Sequence, residues 1–323
     1  MISRVADHCF WFGRYVERAE ATARMLTASH SLALDAELEP HQCWRPVLVV
    51  SGEEKQFRAA HAPEDDHPAW GDGELVERFM TWDEDNEVSL KRSIVGARWN
   101  ARQIREVLSL EAWETVNELH LWAAGEASAT EWRDHRYGFY RHVRQMTQLC
   151  LGLLRSTMLH DAPLDFIWLG VLLERISQTA RILDVHHHAF TRLPRRHEVV
   201  ETALWLSLLR ALGGYEPFMK RHQGRVSADT VARFLVGEAR FPRSIAYCVH
   251  SAHDRLCAIR PAAERELPGG RTLERLRILD GWIVARRSDA LTGDTVHDLL
   301  THIVDEAHAI CDGLGRELFG YGG

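Results

Sequence analysis

Apolar positions near the start of the chain step by four and three: Val5, Cys9, Phe12, Val16, Ala19, Ala23 and Leu26 draw one continuous stripe. That spacing places side chains on one face of an α-helix. It predicts a helix from Ser3 to about Leu34, with Ser3 as its N-cap. The same periodicity recurs nearly everywhere, and alternating Val/Ile/Thr runs are almost absent, so the expected fold class is all-α. Pro40 and Pro46 interrupt the pattern. The run from Pro63 to Pro68, followed by Gly71 and Gly73, reads as an exposed acidic loop, with helices resuming at about Glu74. Later breaks are expected at Asp161–Pro163, Leu193–Arg196, Gly213–Pro217, Arg240–Pro242 and Pro261–Arg271. The one candidate strand, Val47–Val50, is too short to build a sheet.

An internal repeat organises these helices. Phe10–His30 aligns with Ile167–His187 at an offset of 157 residues, with nine of 21 positions identical. The identities include Trp11/Trp168, Gly13/Gly170, Glu17/Glu174, Arg18/Arg175, Arg24/Arg181 and His30/His187. Two amphipathic helices share alanine and leucine by chance far more readily than Trp, Gly, Glu-Arg and a later Arg in register. A weaker match pairs LVERFM from Leu75 with TVARFL from Thr230, and Ser89 with Ser244. The chain is therefore expected to be two diverged helical repeats, 1–158 and 159–323, forming a pseudo-two-fold helical bundle in one compact body.

Composition narrows the function classes. With 323 residues, 46% hydrophobic and 26% charged, the chain is an ordinary globular protein with room for a large core. Its apolar runs, such as Trp205–Leu209, fall well short of the ~20 residues a membrane span needs. No basic region followed by an apolar run marks a secretory leader, so the expected location is the cytoplasm. A net charge of −7 argues against phosphate neutralisation as the main task, and no nucleic-acid partner is expected. Only three of the 39 cations are lysines, Lys55, Lys91 and Lys220. A coding sequence rich in G and C accounts for such a bias; arginine's planar fork also suits carboxylate and phosphate recognition. The six cysteines are widely spaced without a C-x-x-C pair and read as reduced, buried thiols.

Candidate chemistry concentrates on the repeated helix. Glu17, Glu20 and Arg24 project from one side of it, roughly opposite Val16, Ala23 and Leu26, with Arg14 and Arg18 alongside. Glu174, Ser177 and Arg181 occupy the same face of the second copy, beside Arg175. Phe10 and Trp11 flank the charged face, which suggests a cleft or helix interface where buried charges persist only when paired. Structural pairing and a ligand or catalytic role both remain open at this point. Among the 19 histidines, Asp184/His188 and Asp305/His308/Asp312 have spacings that offer metal ligands from one helix face. Neither place carries the Glu-x-x-His pair of di-metal bundles, so neither a metal nor a cofactor is expected. The run His186, His187, His188 reads as an exposed helix end. Nucleotide-binding glycine loops, H-E-x-x-H and G-x-S-x-G are all absent, so a site must be built from side chains projecting between helices.

The opening SRVADHCFWFGRYVERAEATARML resembles the start of the bacterial alpha-E family, as do RWNARQIREVLSLEAWETVNELH from Arg98, the WLGxxLER block from Trp168 and GRVSADTVARFLVGEARFPRSIAYC from Gly224. Val171 and Ser177 depart from the family pattern, standing where an arginine and an acid are usual. The resemblance implies partnership with circularly permuted ATP-grasp proteins and transglutaminase-like proteins, encoded beside or fused to such chains, in a system that makes or modifies amide bonds. On that basis Arg14, Arg18, Arg24, Arg175 and Arg181 are candidate binders of a carboxylate or phosphate, and Glu174 is a further candidate substrate-binding residue. Glu17 and Glu20 are candidates to orient or deprotonate an amine. A non-catalytic adaptor, docking its partner through an aromatic patch drawn from the 11 tryptophans, is the competing reading. A metal-dependent oxidase of the helical-bundle type is a third. A homo-oligomer is compatible with each.

Overall fold

The computed structural model describes residues 3–35, 38–191, 198–261, 267–286 and 294–321, and the described residues form fifteen α-helices and no strand. The first half contains α1 (Ser3–Asp35), α2 (Pro40–Ser51), α3 (Glu54–His61), α4 (Gly73–Trp82), α5 (Leu90–Gln103), α6 (Leu110–Ala123), α7 (Glu126–Asp134) and α8 (Arg136–Thr157). The second half contains α9 (Ala162–Thr191), α10 (Glu198–Ala211), α11 (Tyr215–Arg221), α12 (Ala228–Gly237), α13 (Ile245–Ile259), α14 (Gly270–Ala285) and α15 (Asp294–Leu314). No helix among the described residues is long and apolar enough to cross a membrane.

α1 and α9 form the centre. The stripe Cys9, Phe12, Val16, Ala19, Ala23 and Leu26 is buried as its spacing predicts. α9 is apolar nearly all round, as a helix enclosed by neighbours must be. Gly13 and Gly170 set the approach of the two: a Cβ on Gly13 would lie 2.0 Å from the Ile167 carbonyl oxygen, and one on Gly170 would lie 2.0 Å from that of Phe10. Around this pair, α5 and α8 pack on α1, and α13 and α15 pack on α9. α6 rests on α5 and α8, while α14 rests on α13 and α15. Serine caps start the flanking helices: Ser89 accepts from the Arg92 amide, and Ser244 from the Tyr247 amide.

Several expectations need correction. Val47–Val50 lies inside α2 and is not a strand. Pro40 initiates that helix at its first turn, where a missing N–H costs nothing, behind the Glu39–Gln42 capping box. Pro46 lies inside it, tolerated because Cys43, Trp44, Val47, Leu48 and Val50 bury one side of the helix in the core. α3, also unanticipated, is held by the buried Phe57. Ser3 is the first helical residue of α1. His186 and His187 are buried, with His186 Nδ1 2.8 Å from the Ile182 carbonyl oxygen and His187 against the Trp205 ring. The side chain of His188, and the expected break at Leu193–Arg196, lie outside the described residues. Four of the cysteines are buried, whereas Cys257 and Cys311 are only half-buried; all six are free thiols.

Candidate functional site

Two Glu-Arg dipeptides, one from each central helix, bond crosswise. Arg18 on α1 donates to Glu174 on α9 through Nε at 2.8 Å and Nη2 at 3.0 Å. In return Arg175 donates to Glu17 through Nε at 2.9 Å and Nη2 at 2.6 Å. Both pairs have the two-pronged geometry that matches a guanidinium to a carboxylate. They form because Glu17 and Glu174 follow the close-packed glycines by one helical turn, so each carboxylate leaves its own helix where the other backbone is nearest.

The surroundings of the two pairs differ. Glu17 also accepts from Arg243, in the turn before α13, at 2.8 Å. Glu20 binds Arg24 Nε at 2.8 Å and Gln148 Nε2 at 2.9 Å through one oxygen, and Arg243 Nη2 at 2.7 Å through the other. Both carboxylates have 0% exposure. Burial alone would push the Glu20 carboxyl up, but Arg243, Arg24 and Arg175 outweigh it and hold the group at about 2. An ionised carboxylate with so low a pKa, and closed off from solvent, is a weak base for an incoming amine. The sites expected for proton transfer are thus filled by the protein's own cations. Arg144 lies near Arg24, and burial and the Arg24 charge lower its pKa.

On the other side Glu174 accepts from Arg14 Nε at 2.8 Å, from Arg18, and from Gln178 Nε2 at 3.3 Å. Burial opposes its ionisation, yet Arg18 and Arg14 together hold it far below the usual carboxylate range. Arg14 lies over the two flanking aromatics, Trp11 at 4.9 Å and Phe10 at 5.8 Å, and Arg18 lies over Tyr15 at 5.4 Å, so aromatic faces border both guanidiniums. Here a cleft of about 70 Å³ opens, lined by Arg14, Arg18, Glu174, Ser177, Arg181 and His308, with Val88 and Met25 as apolar wall. Arg181 has no carboxylate within 4 Å among the described residues; its Nη2 is 3.0 Å from His308 Nε2. Burial and the neighbouring Arg181 and Arg14 lower the His308 pKa, so at neutral pH the ring is uncharged and Nε2 accepts, with the proton on Nδ1.

Of the residues expected to bind substrate, the cleft gathers Arg14, Arg18, Glu174 and Arg181. Arg24 and Arg175 belong to the closed side with Glu17 and Glu20. Arg243, Gln148 and Val88 were missed. The match of Ser89 with Ser244 carried a signal for two of them, since Val88 and Arg243 immediately precede those caps. His308 points to Arg181, and Asp184 pairs with His297 at 2.9 Å. Among the described residues no group of three His, Cys, Asp or Glu is placed to hold a metal. Of the eleven tryptophans, Trp99 alone is mostly open to solvent, at 54%.

Residues 1–319 match Alpha-E, described as a predicted alpha-helical domain with a conserved ER motif. The chain belongs to the Alpha-E family. Uncharacterized proteins of Mycobacterium tuberculosis and Mycobacterium bovis are 23% identical to this Alpha-E chain over 264 residues, covering 76% of it and 28% of their own length. The Alpha-E chain thus spans little more than a quarter of the relatives it matches. No solved structure matches it.

Proposed function

We propose that this Alpha-E protein binds a carboxylate or phosphate group in the Arg14/Arg18/Arg181 cleft, as an accessory component of an ATP-grasp-associated system that forms or modifies amide bonds. One observation carries the reading: the cleft sets three guanidiniums against the single carboxylate of Glu174, and the third, Arg181, leans on a neutral histidine. Guanidiniums in a partly desolvated recess attract an oxyanion strongly and offer it paired N–H donors. The family resemblance supplies the partners, a circularly permuted ATP-grasp protein and a transglutaminase-like protein.

In this reading the ER motif is the crosswise set Glu17-Arg18 and Glu174-Arg175, and its first task is architectural. The repeats 1–158 and 159–323 are two halves of one pseudo-two-fold body whose axis passes between Gly13 and Gly170. Support comes from the reciprocal glycine contacts, the exchanged Glu–Arg bonds and the matched packing of α5 and α8 on α1 and of α13 and α15 on α9. Glu17 and Glu20 are positioning residues that hold Arg175 and Arg243.

The test is product formation by the ATP-grasp protein together with the Arg181→Gln variant, whose half-buried side chain can change without opening the core. Product formation is expected to fall at least about tenfold while the helical circular-dichroism signal persists. Unchanged product formation contradicts the reading. It would leave a non-catalytic adaptor, which is favoured by the relatives' greater length and needs a docking patch that includes the exposed Trp99.

A further inference from the structure

Residues 157 apart on α1 and α9 hold matched positions on the two sides of the crosswise pair, with Val171 standing where Arg14 does, and Val88 and Arg243 are matched through the caps that follow them. On the closed side, Arg24 binds Glu20, and Glu20 binds Arg243. On the open side, Arg181 stands where Arg24 does, but Ser177 stands in place of Glu20, and Val88 precedes Ser89 as Arg243 precedes Ser244. The cleft therefore lies where two small side chains replace a buried carboxylate–guanidinium pair. Three guanidiniums (Arg24, Arg175, Arg243) bond two carboxylates on the closed side, with Arg144 nearby but joined to neither. On the open side three (Arg14, Arg18, Arg181) face one.

We propose that the cleft takes a monocarboxylate, which occupies the place that Glu20 fills on the closed side and completes the interrupted arginine network. This rests on the anion-binding reading above and narrows it. The ligand oxygens accept from Arg181 and from the Ser177 hydroxyl, beside the Arg14 and Arg18 guanidiniums that Glu174 already holds. The carbon next to the carboxylate faces Val88 and Met25, an apolar wall that suits an aliphatic carbon, while Thr22, Ser51 and Gln178 line the rest of the recess with neutral donors only, and the Glu174 carboxylate repels a dianionic phosphate more than a monoanion. A recess of about 70 Å³ holds a carboxylate and a few more heavy atoms, so the rest of a larger ligand extends into solvent. Either a small acid or the C-terminal carboxylate of a peptide supplies this chemistry. The neutral His308 yields its contact with Arg181 when the ligand arrives.

The whole 323-residue chain is titrated by calorimetry with acetate, with N-acetyl-alanyl-alanine, with the C-terminal amide of that peptide, and with inorganic phosphate. The variant Ser177→Glu, which supplies the carboxylate internally, is treated in the same way. Acetate and the free-acid peptide are expected to bind saturably, the amide to fail, and phosphate to bind at least about tenfold more weakly. A free-acid peptide that binds more tightly than acetate identifies a peptide end as the source; equal affinity identifies a small acid. Ser177→Glu is expected to lose acetate binding and to raise Tm by about 2 °C, because the new carboxylate pairs with Arg181. Should Ser177→Glu fail to fold, Arg181→Gln must lose acetate by the same factor. Retention of acetate by either folded variant overturns the placement. Binding of phosphate without carboxylates overturns the ligand class and leaves the anion site standing, whereas an absence of saturable binding by any anion overturns both.

Discussion

Glu20 is a carboxylate out of reach of water, kept ionised chiefly by the Arg243, Arg24 and Arg175 guanidiniums with the Gln148 amide beside them. Its pKa is depressed in the fold, so its contribution to stability is present above the unfolded value and is lost as pH falls through the folded one. That window runs from about pH 4.5 to about pH 2 and is worth on the order of 3 kcal/mol. Glu174 shifts in the same direction for the same reason. Wild-type stability measured by urea denaturation is expected to fall steeply through that window, and the Glu20→Gln variant to show a shallower slope there. At neutral pH that variant leaves Arg243 and Arg24 short of a partner, a buried defect of about 3–5 kcal/mol. Equal slopes for the two proteins would detach Glu20 from the acid transition. By the same logic Arg181, which no carboxylate holds among the described residues, is the arginine of the cleft whose loss disturbs the fold least and ligand binding most.

Among the elements, α1 and α9 come together because two glycines remove the side chains that would keep their backbones apart. Gly13→Ala or Gly170→Ala places a methyl 2.0 Å from a carbonyl oxygen, which forces the helices to separate and stretches both Glu–Arg bonds. Each is expected to cost about 1–3 kcal/mol or more. Gly152 on α8 and Gly281 on α14 also lie within helices, but a Cβ there meets nothing within 4 Å. Alanine at either is expected to stabilise by about 0.5–1 kcal/mol. Chemical denaturation of the four variants checks the contrast, and a uniform gain across all four contradicts the close-packing account. Much of this level was legible in the chain: the four-three stripe marked α1, and Gly13/Gly170 and Glu17/Glu174 stood in register in the repeat. α2 was not, because a proline at a first turn and a proline inside a buried helix look alike in sequence. Which arginine meets which glutamate was not legible either. Periodicity gives the face of a helix, whereas partners such as Arg243 and Gln148 arrive from other helices through the turn before α13 and through α8.

For the whole molecule, the crosswise bonds mean that neither half has all its charges paired without the other. Fragments 1–158 and 159–323 expressed apart would leave Glu17 without Arg175 and Arg243, and Glu174 without Arg14 and Arg18, besides exposing the glycine faces. Neither is expected to unfold cooperatively by calorimetry, while co-expression restores a single transition; two independently stable fragments would refute the one-body architecture. On one side of the molecule Arg24, Arg175 and Arg243 all bond carboxylates, whereas on the other Arg181 bonds none among the described residues, and a ligand carboxylate is proposed to fill that place. Heteronuclear NMR of the guanidinium Nε–H groups during an acetate titration tests it most directly. Arg181 is expected to shift most, with Arg14 and Arg18 following, while Arg175 and Arg243 stay where they are. An unmoved Arg181 at saturating acetate, or shifts of equal size at Arg175 and Arg243, would contradict it.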